Sequence, residues 1–147
     1  MPHDSPDKLH FRSVAEIEEV VRGFETCATA PADFSHAAHL TVALWYVAHA
    51  PLDVAAERMR HGLARFIAHH GVDPQKYHET ITLFWLKLVQ HFLAHAGAER
   101  PLPDVANELI ARCGDSKMLF AHYSREIVGT EAARTGWVEP DLRPLEF

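Results

Sequence analysis

The chain predicts an all-α fold, a single-domain helical bundle of about five to seven helices with an extended C-terminal tail. Three observations predict it. Apolar residues recur at helical spacing through most of the 147 residues. Capping residues and glycine or proline stops punctuate those runs at short intervals. No stretch shows sustained period-2 alternation of strand-favouring residues.

Each element follows from its own signals. Ser13 with Glu16 forms a capping box, and Val14, Ile17, Val20, Val21 and Phe24 repeat behind it. They predict a first helix over about 13–25. The second starts near Asp33 or Ser35 and runs to about Ala48; it is apolar in nearly every direction, which marks a central element. The third spans 53–70, with Ala55, Ala56, Met59, Leu63, Phe66 and Ile67 on one stripe and Gly71 as its stop. Pro74 opens a fourth helix reaching about His95. A short fifth covers 104–112, and a sixth, capped by Asp115 or Ser116, reaches about Ser124. A further helical turn is expected over 130–134, then an extended tail over 135–147. Residues 1–12 read as a loose N-terminus.

Composition narrows the function classes. The hydrophobic fraction is 48%, the charged fraction 23%, and the formal charge −6, so the chain is an ordinary globular one. Its lysines and arginines are scattered singly, without the basic stripe that nucleic acid requires. The longest apolar run, Val42 to Ala48, falls far short of the roughly 20 residues of a membrane span. Cys27 and Cys113 stand alone, without C-x-x-C spacing. They read as reduced thiols in a cytoplasmic protein. Neither nucleic acid nor membrane is expected as a partner; a homodimer is left open.

Twelve of the residues are histidine, and helical phase divides them. His61, His69, His91 and His95 fall on polar faces or helix edges. His36, His39, His78 and His122 fall on apolar ones, where an imidazole costs free energy unless its nitrogens find partners. His78 lies within about 40° of the centre of the apolar arc of the fourth helix. His36 and His39 sit about 60° apart, flanking the direction of Ala43, whose small side chain leaves room beneath them. If consecutive helices alternate direction, the starts of the second and fourth share one end of the bundle, and His36, His39 and His78 converge there. Helix N-termini also favour neutral imidazole.

Three uses of such a constellation follow. The first is a metal site of His36, His39, His78 and His122, a donor set suited to a transition metal ion such as zinc, iron or copper. With an open position it would act on a small-molecule substrate. A di-iron bundle does not fit, because no Glu-x-x-His pair occurs. Glu79, Tyr123 and Arg134 are the accompanying catalytic or substrate-contact candidates. The second use is metal-free acid–base chemistry in a pocket. The third is a non-enzymatic interaction module, in which the histidines are satisfied core residues and a surface helix exposes an apolar stripe.

The blocks Asp33-Phe34-Ser35-His36-Ala37-Ala38-His39-Leu40, Lys76-Tyr77-His78-Glu79-Thr80-Ile81-Thr82-Leu83-Phe84-Trp85 and His122-Tyr123-Ser124 resemble those of small uncharacterised bacterial all-helical proteins. The closing Arg134-Thr135-Gly136-Trp137-Val138-Glu139-Pro140-Asp141-Leu142-Arg143-Pro144-Leu145 is similar too. The resemblance spans about Phe34 to Leu145. It implies one bacterial helical domain and brings no activity with it.

Overall fold

The computed structural model describes residues 9–147. It is an all-α bundle of α1 (Val14–Glu25), α2 (His36–His49), α3 (Leu52–His69), α4 (Glu79–Ala94), α5 (Leu102–Cys113), α6 (Arg125–Val128) and α7 (Glu131–Thr135). Three 3₁₀ segments, Pro31–Asp33, Pro74–Lys76 and Ser116–Ala121, join them. No strand occurs among the described residues.

α2 is the axis of the molecule. It packs against α1, α3, α4 and α5, and Leu40, Val42 and Leu44 on it are fully buried. Each such side chain contributes about 1.5–3 kcal/mol through its removal from water. That all-round burial accounts for its lack of a polar face. α1 and α3 are two-faced by contrast. Where they cross, a Cβ on Gly62 would stand 2.5 Å from the ring of Phe24, so the glycine is what lets the two helices close. Phe24 in turn stacks on Phe34, with ring centroids 4.8 Å apart, and both contact Phe66.

The ends of the helices follow their capping chemistry. Ser13 accepts the amide of Glu16, and the Glu16 carboxylate reaches back to the amide of Arg12. Of the two starts expected for α2, Ser35 is the cap, accepting from the amide of Ala38. Gly71 ends α3 with φ 67, the left-handed conformation that glycine adopts without steric cost. α1 ends differently: Cys27 itself takes φ 62, a position where glycine is the usual occupant.

Two expected helices are corrected. The fourth does not run from Pro74: after one 3₁₀ turn the chain extends through Tyr77 and His78, and α4 begins at Glu79. Pro74 opens that 3₁₀ turn, and His78 caps the true helix with its own ring. The sixth is a 3₁₀ segment capped by Asp115, and α6 follows it as a separate turn capped by Ser124.

The tail after α7 has no regular secondary structure and is strapped to the body. Thr80, completely buried, donates to the Gly136 carbonyl (2.7 Å) and accepts from the amide of Val138 (3.2 Å). Asp141 accepts the amide of Ser124 at 2.8 Å. At the other end of the chain, residues 1–8 of the expected loose N-terminus lie outside the described residues. Phe11, however, is buried and clamped, its backbone exchanging two hydrogen bonds of 2.8 Å with the Asn107 side chain. Among the described residues no helix is long and apolar enough to cross a membrane.

Candidate functional site

A cavity of about 560 Å³ opens where α2 and α4 begin, within the range of small-molecule sites. The first turns of α2 supply His36, His39 and Ala43, and α3 supplies Met59, Leu63, Phe66 and Ile67. Lys76, Tyr77 and His78 come from the connection before α4, and Trp85 from α4 itself. Leu119 and Phe120 of the last 3₁₀ segment form part of the wall. His36, His39 and His78 therefore share one cavity, with Ala43 beneath the first two.

Their ring nitrogens are not equivalent. His78 donates from Nε2 to the Val128 carbonyl (2.7 Å), and its Nδ1 accepts the amide of Ile81 (3.1 Å). Both nitrogens are committed to backbone, one as an N-cap acceptor and one tying α6 to the start of α4. No lone pair remains on this ring for an ion or a substrate proton. His36 donates from Nε2 to the Cys113 carbonyl (3.0 Å), and its ring meets Trp85 edge-on with centroids 4.4 Å apart.

His39 donates from Nδ1 to the Ser35 carbonyl (3.0 Å). A carbonyl can only accept, so the neutral ring carries its proton on Nδ1 and its lone pair on Nε2. The ring packs on Phe34, centroids 4.0 Å apart. Burial lowers the His39 pKa to about 4, helped by the neighbouring His36 and opposed by the Ser35 carbonyl. At neutral pH His39 is an uncharged acceptor in the wall of an apolar cavity.

Two of the three hydroxyl-bearing residues of the lining, Thr82 and Tyr77, bond to their own chain, and Ser116 is the third. Thr82 donates to the His78 carbonyl (2.8 Å) and Tyr77 to Glu79 (2.5 Å). Glu79 also takes a forked interaction from Arg60, at 2.7–3.0 Å. Burial pushes its carboxyl up, but the Arg60 and Tyr77 hydrogen bonds and the guanidinium charge outweigh that and leave its pKa lowered. Glu79 is thus a structural anion, paired with α3 and absent from the cavity lining.

The other site candidates lie elsewhere. His122 donates from Nδ1 to the Arg143 carbonyl (3.0 Å) and packs between Phe84 and Phe147. Tyr123 is fully buried beneath the tail, donating to the Val138 carbonyl at 2.8 Å. Burial first, then the charges of Glu139 and Asp141, push its hydroxyl up to about 12. Arg134 sits on α7 beside Glu131, at 3.5 Å. None of the three lines the cavity. The four-histidine ligand set is not assembled, and no group of three His, Cys, Asp or Glu side chains suited to a metal ion occurs among the described residues.

No protein-family model, curated protein or solved structure matches the chain. Sequence reasoning passed over Lys76, Phe34, Phe120 and Trp85 as cavity residues. The first two sit in the same blocks as the histidines, and the signal for them was proximity alone. Phe120 and Trp85 were obscured by ordinary core periodicity.

Proposed function

We propose that the protein binds a small, flat, largely apolar molecule in this cavity and recognises a hydrogen-bond donor on it through Nε2 of His39. The observation that carries the reading is the forced tautomer: the Ser35 carbonyl holds the proton on Nδ1, and Nε2 keeps an acceptor lone pair in a mostly apolar wall. Phe34, Phe66, Tyr77, Trp85 and Phe120 supply ring faces and edges for an aromatic body. A pKa near 4 makes His39 a weak proton carrier at neutral pH, so the geometry favours recognition over acid–base transfer.

An interaction module is the less favoured reading. It asks for an exposed apolar stripe on one helix. The exposed large hydrophobic side chains among the described residues are Val14, Val54 and Leu142, on three separate elements.

The test compares 2-naphthol with 2-methoxynaphthalene by calorimetric titration. The two share a body, and only the first donates. Wild-type protein is expected to prefer 2-naphthol by roughly 5- to 10-fold, the worth of one hydrogen bond in a dry site. His39→Leu is expected to remove the preference. Equal affinity for both probes in the wild type, or no binding of either, contradicts the proposal.

A further inference from the structure

The cavity also carries a charge signature. Among its lining residues Lys76 is the one lysine or arginine, and no aspartate or glutamate is present. In a chain of net charge −6, with 20 acidic residues against 14 basic ones, a cavity lined without a single carboxylate stands apart from the rest of the protein.

Lys76 is held at the exposed side of the site. It closes the 3₁₀ turn Pro74–Lys76, and its amide donates to the Asp73 carbonyl at 2.9 Å. The two carboxylates nearest in sequence are both occupied: Asp73 caps that turn, accepting the amide of Gln75 at 3.0 Å, and Glu79 accepts from Arg60 and Tyr77. No salt bridge among the described residues includes Lys76. Lys76 is thus an exposed lysine of the cavity lining, next in sequence to Tyr77, and no carboxylate among the described residues forms an ion pair with it.

Resting on the reading of the cavity as a small-molecule site, we infer that its ligand is an aromatic carboxylate: the ring system fills the apolar interior and the carboxylate pairs with Lys76. A single cation matches a single negative charge. A phosphate ester, with up to two charges and three acceptor oxygens, would call for a cluster of lysine or arginine side chains, and the lining has Lys76 alone. The surrounding net negative charge repels anions at long range. Selectivity for a carboxylate must therefore come from Lys76 at contact distance, and added salt weakens it.

The test is a pair of probes, 2-naphthoate and the uncharged, nearly isosteric 2-acetylnaphthalene, neither of which has a hydrogen to donate to His39, titrated calorimetrically into the full chain at neutral pH. The expected result is a roughly 3- to 10-fold preference for 2-naphthoate, the scale of a partly exposed ion pair, which shrinks as salt is raised. Lys76→Met is expected to abolish the preference and Lys76→Glu to invert it. Lys87→Met, which removes a lysine stacked on Trp137 away from the cavity, is expected to retain it. Equal affinity for the two probes, or a preference that survives Lys76→Glu, overturns the carboxylate assignment and leaves the cavity reading standing. Failure of both probes to bind overturns the two together.

Discussion

The cavity and the tail strap use the same chemistry and reach opposite ends. In both, histidines and hydroxyls meet backbone carbonyls among aromatic rings. Under the strap the polar groups tie the tail to the body: Thr80 serves Gly136 and Val138, Tyr123 serves Val138, and His122 serves Arg143 through Nδ1. Phe84, His91 and Phe147 then close over the end of the chain. In the cavity the protein matches His78 fully, yet leaves an acceptor on His39 and an ammonium on Lys76. The strap is a finished structure and the cavity retains binding capacity. His39 and His122 each spend Nδ1 on a carbonyl; what separates them is that His39 lines the cavity and His122 does not.

That contrast can be broken at several points. The largest effect is expected from Thr80→Val, which keeps the shape but strands two partly buried backbone groups, the Gly136 carbonyl and the Val138 amide. Urea unfolding should show a loss of about 4 kcal/mol, the sum of two unsatisfied groups, with the ratio of naphthol to methoxynaphthalene affinity preserved. A changed ratio would mean that strap and cavity are one unit.

Acid should expose the cavity side. His39 has its pKa depressed from 6.5 to about 4 by burial, so the unfolded chain takes up a proton first. Stability is then lost as pH falls from about 6.5 through about 4, by roughly 3 kcal/mol in all. His39→Gln should lack that portion of the acid slope. Ligand recognition by the neutral ring should remain level from pH 8 to about pH 5, and a steep loss near pH 6.5 would contradict the buried neutral state.

His78 links the two regions, and its removal should cost less. His78→Ala loses the cap on α4 and the tie to Val128, about 2 kcal/mol together. Asparagine is a good cap but is too short to replace the imidazole's reach, so His78→Asn should recover about half of that loss. Tyr123→Phe, which removes one hydrogen bond to Val138, should cost the least, about 1 kcal/mol. Both are read as shifts in the urea midpoint.

The helices were legible because local signals and burial agree. α2 is apolar all round and sits at the centre; α1 and α3 are two-faced and sit outside it. The gathering of His36, His39 and His78 at one cavity was legible from their places near helix starts. The ring hydrogen bonds were not. Pro74 predicts an α start that would enclose His78, yet α4 begins one residue after His78, because a proline in first-turn position signals an α start and a 3₁₀ start alike. Its partner Val128 lies 50 residues away, and no local pattern announces such a bond. Helical phase puts His122 on an apolar face of a sixth helix, but the 3₁₀ segment ends at Ala121 and the His122 ring packs on Phe84 and Phe147 beside the tail, whose path depends on long-range contacts with Thr80, Ser124 and Phe84. Glu79 was expected to lie near the histidines, and its ion pair with Arg60 turns it toward α3.

The central claim is that His39 presents an unprotonated Nε2 to the cavity, and nitrogen-detected NMR of the imidazole tests it most directly. The account predicts the Nδ1–H tautomer in the free protein at pH 7, and an Nε2 resonance that moves on addition of 2-naphthol while Nδ1 stays in place. An Nε2–H tautomer, or an Nε2 signal unmoved when the probe is bound, would contradict it.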